Sequence, residues 1–245
     1  MRKITFIIVL LLPICLLSQT DWTVIEPTDF LEELRTFEKS IPEGESYSFS
    51  TDYSIYNDFA DVLPIKTYSG HLICREGIDF NISQMDYFVV QNEHYNVSID
   101  SVNNQLMVQF ADPSFSYRKT VEDYSGLSEV TQEIEKKLVG DKKLYSLTLK
   151  QGYPYHSMEY TFTKDNLISE VVIYGNGPYL SEDGDDNNLT KKSKVVIRFS
   201  NFKVSKNVDL KEFTPLENFI IIYDDEIKPV GKYQNYEILD LREQN

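Results

Sequence analysis

Alternating hydrophobic and polar residues predict a long β-strand near the start of the chain. Between Ser46 and Ile55 every second residue is aromatic, aliphatic or threonine, and the residues between them are small or charged. This period of two predicts a half-buried strand with one solvent-facing side. The predicted inward residues are Tyr47, Phe49, Thr51, Tyr53 and Ile55, and the predicted outward residues are Ser46, Ser48, Ser50, Asp52 and Ser54.

Similar runs along the chain predict further strands. They span Thr67–Cys74, Asp86–Gln91, Tyr95–Ile99, Gln105–Phe110, Tyr145–Lys150, Ser157–Thr163, Ile168–Tyr174, Lys194–Ser200 and Phe219–Tyr223. Polar turns at Ser101–Asn104 and Lys164–Asn166 are typical of β-hairpins. Strands and helices do not alternate, which argues against a parallel doubly wound sheet. We therefore predict a mainly β fold, a curved antiparallel sheet with two helices packed on one face.

Two segments have the hydrophobic spacing of amphipathic helices. In Asp29–Lys39 one stripe is apolar, and Asp29 with Glu32 resembles a capping box. The second predicted helix spans Ser125–Val139, with Gly140 as its C-terminal cap. The apolar residues of the two predicted helices are Phe30, Leu31, Leu34 and Phe37 in the first, and Leu127, Val130, Ile134 and Leu138 in the second.

The N-terminal sequence predicts that the protein is exported. Arg2 and Lys3 precede the apolar run Ile4–Leu17, and Ser18-Gln19-Thr20 follows, the order of a cleavable signal peptide. We therefore predict a signal peptide at 1–20, one domain at 21–245 with a C-terminal extension from about 215, and a periplasmic or secreted location. A lipid anchor on Cys15 is the less favoured alternative, because bulky Ile14 precedes it.

The cysteine count and the net charge limit the kinds of protein that this chain can be. After cleavage Cys74 is the only cysteine of the chain, so stability must come from a packed core rather than from intramolecular disulfides. The chain has 24 Lys and Arg against 39 Asp and Glu, a net charge of −15. Nucleic-acid binding requires a surplus of basic residues, so this class is excluded.

The sequence contains no motif for catalysis or for a cofactor. Its three histidines lack metal-ligand spacing, and it has neither a Gly-x-Ser-x-Gly elbow nor a glycine-rich phosphate loop. Glu159 and Glu170 could face each other across a hairpin, but charges on a solvent-facing strand explain them equally well. We predict no catalytic residue, no metal and no cofactor, and a non-enzymatic protein.

The acidic stretch Ser181–Asn188 predicts a solvated loop. Asp183, Asp185 and Asn187 match the first ligand positions of a calcium loop, but the turn glycine and the bidentate glutamate are both replaced. Calcium binding is therefore not predicted.

Aromatic side chains on the sheet are the main candidates for function. Such walls can surround an apolar ligand, and they can equally form a filled core beneath the helices. The candidate ligand-binding residues are Tyr47, Phe49, Tyr53, Ile55, Leu72, Phe80, Phe88, Leu106, Phe110, Tyr160 and Phe162.

Two short motifs resemble the periplasmic lipoprotein-carrier family (LolA-like). The first is Gly70-His-Leu-Ile-Cys-Arg75 followed by Phe80-Asn81, although Glu76-Gly77 replaces the Arg-Pro dipeptide of the family. The second lies in Lys194–Phe213. It comprises Ile197, Phe199, Asn201, Asn207, Val208 and Phe213.

The resemblance covers about residues 28–215 and implies a function. It implies an incomplete antiparallel barrel whose concave apolar face is covered by helices and shields acyl chains. The expected partners are an acylated lipoprotein or a lipid, with possible envelope protein partners. The alternative is an exported structural or interaction module of an envelope complex, with the same fold and a filled core.

Overall fold

The computed structural model describes residues 21–41, 44–75, 79–84, 87–111, 126–175, 192–224 and 226–242. The predicted signal peptide at 1–20 and the acidic stretch Ser181–Asn188 lie outside the described residues. Within the described ranges, each helix is too short or too polar to cross a bilayer.

The described residues form two α-helices, four three-residue 3₁₀-helices and fifteen strands. The α-helices are α1 (Pro27–Lys39) and α2 (Leu127–Val130). The strands are β1 (Thr23–Val24), β2 (Tyr47–Tyr56), β3 (Lys66–Arg75), β4 (Asp79–Gln84), β5 (Tyr87–Gln91), β6 (Tyr95–Asp100), β7 (Gln105–Phe110), β8 (Thr131–Val139), β9 (Lys142–Leu149), β10 (Tyr155–Phe162), β11 (Ile168–Gly175), β12 (Ser193–Val204), β13 (Ile220–Tyr223), β14 (Glu226–Pro229) and β15 (Glu237–Asp240).

Thirteen of these strands make one large sheet. Its order is β1-β8-β9-β10-β11-β12-β2-β3-β4-β5-β6-β7-β15, and β13 pairs with β14 in a separate two-stranded sheet. Among the described pairings of the large sheet, only β7 with β15 is parallel. The predicted fold class is confirmed: the protein is mainly β, with a large curved and unclosed antiparallel sheet.

Strand register gives the sheet two apolar faces, because directly paired residues lie on the same side. One row runs through Tyr160, Val171, Ile197 and Tyr53, and we call this side the helix face. The opposite side, named the tail face, carries the row Ile73, Asn81, Val90, Val97 and Val108.

Helix α1 covers part of the helix face. It begins at Pro27, whose fixed φ suits the first turn, and it buries Phe30, Leu34 and Phe37. The predicted helix is confirmed, but its predicted capping box is wrong. Glu26 is the N-cap and makes no side-chain cap bond.

The C-terminal segment Leu216–Leu241, here called the tail, covers the tail face. Phe219 stacks on Phe88 with ring centroids 5.2 Å apart, and Ile220 is fully buried. β15 then pairs with β7 and continues the sheet. Before the tail begins, Asn81 on β4 accepts from the backbone N–H of Thr214 at 2.6 Å and donates to its carbonyl at 3.0 Å.

The second predicted helix is wrong, because α2 has only four residues and Thr131–Val139 is strand β8. The register of β8 on β9 shifts between Thr131 and Glu133, as in a β-bulge. The bulge leaves Thr131 and Ile134 both buried although they are three residues apart, which imitates a helical spacing. Gly140 has φ +62°, but it turns the β8–β9 hairpin rather than capping a helix.

The outward side of β2 is also less exposed than predicted. Asp52 is exposed, but Ser48 and Ser54 are buried. β2 lies between β12 and β3 in the middle of the sheet. Ser54 pairs with Val196, which belongs to a small apolar cluster on the tail face, so its neighbours exclude water.

Candidate functional site

An aromatic floor lies directly beneath α1. Phe30 is fully buried, with its ring centroid 5.2 Å from those of Tyr145 and Tyr160 and 6.5 Å from that of Phe162. The pairs are tilted or edge-on, which aromatic quadrupoles favour. Side chains therefore fill the space beneath the middle of the helix.

A buried carboxylate ties α1 to this floor. Glu33 is 8% exposed, and it accepts hydrogen bonds from Lys143 Nζ and from the Tyr145 hydroxyl, both at 2.7 Å. Lys143 also donates to Asn166 Oδ1 at 2.8 Å. Burial, together with the Glu33 carboxylate, raises the pKa of Tyr145, so the phenol stays protonated and remains a donor.

An apolar cleft opens where α1 ends. Its volume is about 130 Å³, below the 300 to 1,000 Å³ typical of pockets that enclose a small ligand. The cleft lies between the end of the helix, the β10–β11 turn and the outer part of β12. Its apolar lining comes from Phe37, Phe49, Leu167, Ile168, Phe199 and Phe202.

Beyond the cleft, a second aromatic cluster continues the helix face. Phe49 packs against Phe199 and Phe202, with centroids 5.7 and 6.2 Å away. Ile41, which follows α1, is buried in this cluster. Since Phe199 also packs against the cluster beneath α1, the two form one continuous apolar surface.

Eight of the eleven predicted ligand-binding residues share the helix face. They are Tyr47, Phe49, Tyr53, Ile55, Leu72, Phe80, Tyr160 and Phe162. The other three lie elsewhere: Phe88 and Leu106 pack under the tail, and Phe110 is exposed beside Tyr95 on that same face. The prediction of one shared surface is wrong for these three. The pairing register from β3 through β7 places these three side chains on the opposite side of the sheet from Leu72 and Phe80.

Sequence reasoning missed the polar contacts of the helix face. Glu33 lies three residues after Phe30 and four before Phe37, inside the apolar stripe of the helix. A charge at that position is the available signal, because a buried carboxylate requires a partner. Its partners Lys143 and Tyr145 lie far along the chain on β9, so the sequence around Glu33 does not indicate them.

The first family motif has a packing reason. Gly70 on β3 lies between Thr51 and Gln84 on the neighbouring strands. A Cβ at this position would lie 2.6 Å from Thr51 Oγ1 and 2.9 Å from the Ser83 carbonyl oxygen, so only glycine allows this close approach.

The second family motif ends at a polar cavity of about 370 Å³. There the Arg75 guanidinium lies 4.6 Å from the ring centroid of Phe213 and donates from Nε to Asp79 at 3.0 Å. Glu93 and Glu217 line the same cavity. Arg75 thus has an acidic partner of its own and does not contact α1 in the described contacts.

Glu159 and Glu170 do lie near each other, as the alternative hypothesis required, but on the outer side of the β10–β11 hairpin. Burial and then the charge of Glu170 raise the pKa of Glu159, while a hydrogen bond from Tyr174 opposes this shift. Burial and the Glu159 charge raise the pKa of Tyr174 to about 12. Glu170 accepts from Arg198 Nε at 2.9 Å, so this carboxylate has a structural partner.

Within the part of the chain that the structure describes, no group of three His, Cys, Asp or Glu residues could hold a metal ion. The calcium-like residues Asp183, Asp185 and Asn187 lie outside that part.

Comparisons with known proteins give distant structural likenesses. A scan against family models and a search of curated proteins return no match. An uncharacterized conserved protein from Thermus thermophilus is 12% identical with a TM-score of 0.44, covering 86% of this chain and 99% of that one. A LolA superfamily protein from Nitrosomonas europaea is 9% identical with a TM-score of 0.32, covering 75% and 96%. A putative outer membrane lipoprotein-sorting protein domain from Vibrio parahaemolyticus is 9% identical with a TM-score of 0.30, covering 75% and 95%.

These structures include the family that the sequence motifs resemble. All three TM-scores lie below 0.5, so the likeness does not assign a function to this chain.

Proposed function

We propose that this protein is an exported, non-catalytic carrier that shields an acyl chain of a lipid or lipoprotein on the helix face. The observation that supports this most is the continuous aromatic surface beneath α1, with an apolar cleft at the end of that helix. The proposed contact residues are the eight predicted residues of the helix face. The proposed location is the periplasm or the exterior.

Binding requires α1 to move, because its side chains fill the floor. Exposing Phe30, Leu34 and Phe37 costs about 1.5–3 kcal/mol each, roughly 5–9 kcal/mol together. An acyl chain with about 15 methylenes gains about 0.8 kcal/mol for each that leaves water, roughly 12 kcal/mol. The chain can thus replace the helix side chains, entering from the cleft beside Phe37.

Titration with a fluorescent fatty acid tests this proposal. We expect saturable binding by the wild type and tighter apparent binding by Glu33→Gln, because weaker docking of α1 raises the fraction of open protein. Glu32→Gln is the matched control, since Glu32 is exposed and pairs with Arg35 on the same helix. Absence of binding by both the wild type and Glu33→Gln, with no acyl adduct in native mass spectra of protein from its own host, would refute the carrier function.

A second candidate is an exported structural or interaction module of an envelope complex. The filled space beneath Phe30 favours it, since no ligand is then needed on the helix face. Crosslinking in intact cells followed by purification distinguishes the two. Stable protein partners without lipid support the module, whereas acylated clients support the carrier.

A further inference from the structure

Strand β12 contains a left-handed residue beside the apolar cleft. Asn201 lies within the strand, and its φ is +55°. The other described non-glycine residues with positive φ lie between strands, and they are Asn104, Asn166, Ser205 and Asp224. Asparagine tolerates this conformation better than most residues, but the conformation still costs free energy. Residues held in such conformations cluster at functional sites, so Asn201 is a candidate for a functional role.

The strand pairing around Asn201 is that of a β-bulge. The pairs Ser200 with Ser50 and Lys203 with Ser48 enclose two residues of β12 but only one residue of β2. β12 therefore carries one extra residue here, as in bulges whose first residue is left-handed. Asn201 Nδ2 also donates to Ser50 Oγ at 3.3 Å, across the same two strands. An extra residue of this kind bends the strand and changes the direction of its side chains.

The bulge determines how two aromatic residues of β12 are placed. In a regular strand, residues that are three apart lie on opposite sides of the sheet. Phe199 and Phe202 are three apart, yet both pack on Phe49 of the helix face, with ring centroids 5.7 and 6.2 Å from its own. The extra residue therefore places Phe202 on the same side as Phe199.

The apolar cleft lies where this placement separates the two rings. Phe199, Asn201 and Phe202 line the cleft, together with Phe37 at the end of α1. Neighbouring residues on one side of a regular strand are two residues apart, and each residue adds about 3.3 Å along the strand. One extra residue therefore moves the two rings farther apart than a regular strand allows. The gap opens on the surface that the proposed carrier function uses.

We propose that Asn201 is a positioning residue for ligand entry. Its left-handed bulge holds the rings of Phe199 and Phe202 apart, and the acyl chain passes between them to reach the helix face. This inference rests on the proposed function, because it concerns the same surface. A straight β12 would bring Phe202 directly opposite Phe49 and close the entry, while α1 and the floor beneath it stay unchanged.

Deletion of Asn201 from the full chain tests this role. The flanking pairs of β12 and β2 then keep their register, and Phe202 alone stands opposite Phe49. We expect the urea midpoint of unfolding to stay unchanged or rise, because the deletion removes a left-handed residue and restores regular pairing. The apparent affinity for the fluorescent fatty acid should fall at least about tenfold, as when roughly two methylenes no longer leave water. A purely structural residue would instead lower stability and binding together.

Substitutions at the same position separate backbone conformation from side-chain chemistry. Asn201→Gly should bind the fatty acid as the wild type does, because glycine adopts the left-handed conformation readily. Asn201→Val should bind more weakly, because a β-branched residue disfavours positive φ. The matched control is Asn104→Val, the same change at a left-handed asparagine of the β6–β7 turn, where φ is +54°. It should lower the urea midpoint without changing binding.

The outcomes distinguish this role from the carrier function. If the wild type binds and the deletion variant binds equally well, the carrier function stands and the role of Asn201 is overturned. Joint loss of stability and binding in the deletion variant overturns it too, as does weaker binding by Asn201→Gly or by Asn104→Val. If neither the wild type nor Glu33→Gln binds, the carrier function itself fails and the entry role fails with it.

Discussion

The two faces of the sheet are covered in different ways. On the helix face, the described backbone hydrogen bonds of α1 remain within the helix and its own ends, so side chains alone attach it to the sheet. On the tail face, the cover is part of the sheet, since β15 pairs with β7 through Glu237–Asp240. Detaching the tail breaks a strand pairing, whereas detaching α1 breaks only packing and the Glu33 contacts. The same sheet thus has one cover attached through strand pairing and one whose described contacts with the sheet are made by side chains.

The largest expected effect comes from replacing one buried aromatic residue with alanine in each cover, the tail and α1. Phe219→Ala should lower the free energy of unfolding by about 3–5 kcal/mol, as for other buried phenylalanines. Phe30→Ala should cost less, because the loss cannot exceed the net free energy with which α1 docks, which is the gain from burying its side chains minus the conformational entropy lost on ordering the helix. Urea denaturation measures both, and the m-value of Phe30→Ala should fall because α1 is already detached. Equal losses with unchanged m-values would mean that the two covers are equally integral.

Removing the Glu33 charge gives a smaller effect. Glu33→Gln keeps the side-chain size but leaves the Lys143 ammonium, which is 30% exposed, without its carboxylate. We expect a loss of about 1–3 kcal/mol, together with faster hydrogen exchange of α1 amides and unchanged exchange of β5–β7. Glu32→Gln should stay within about 0.5 kcal/mol of the wild type. Faster exchange throughout the sheet would contradict a separable helix.

The link between β4 and the residue before the tail gives a loss of similar or smaller size. Asn81→Ala removes both hydrogen bonds to the Thr214 backbone at a site that is 4% exposed. We expect a loss of about 1–2 kcal/mol and faster proteolysis between Phe213 and Leu216. Asn218→Ala, at an exposed position, is the control. If the proteolysis rate of Asn81→Ala equals that of the control, β15 alone holds the tail.

The smallest effect concerns pH and the outer side of the β10–β11 hairpin. Burial raises the pKa of Glu159 in the folded state, so between its ordinary and its raised pKa the folded protein binds more protons than the unfolded chain. Stability therefore falls as pH rises through that window. Glu159→Gln lacks this loss and should raise the melting temperature at pH 7 by about 1–3 °C, with the difference vanishing below about pH 4. A difference that persists in acid would assign the gain to another cause.

Local pattern determined much of the fold. The alternation from Tyr47 to Ile55 and the apolar stripe of Phe30, Leu34 and Phe37 both predict elements that the structure contains. Each of these signals lies within one element, so no knowledge of partners is needed.

Features that depend on partners were not predictable. The bulge at Thr131–Glu133 becomes apparent only when β8 pairs with β9. Phe88 and Leu106 lie on the tail face rather than on the predicted shared surface, because the register of strand pairing, not composition, decides which side of the sheet a residue faces. The four-residue strand β15 is too short to carry a period of its own, and its parallel pairing arises from a distant part of the chain.

The strand order also bears on how the chain folds. β2 in the middle of the sheet pairs with β12, as in Ser54 with Val196, and the edge pair of Leu106 with Ile238 also joins positions that are far apart in sequence. Such contacts close long loops, and chains rich in them fold over milliseconds to seconds. During synthesis neither the β2–β12 pairing nor the β7–β15 pairing can form until its second strand has been made. The two runs of consecutive strands, β2–β7 and β8–β12, can each pair as they are made, but they cannot join into one sheet until β12 has emerged.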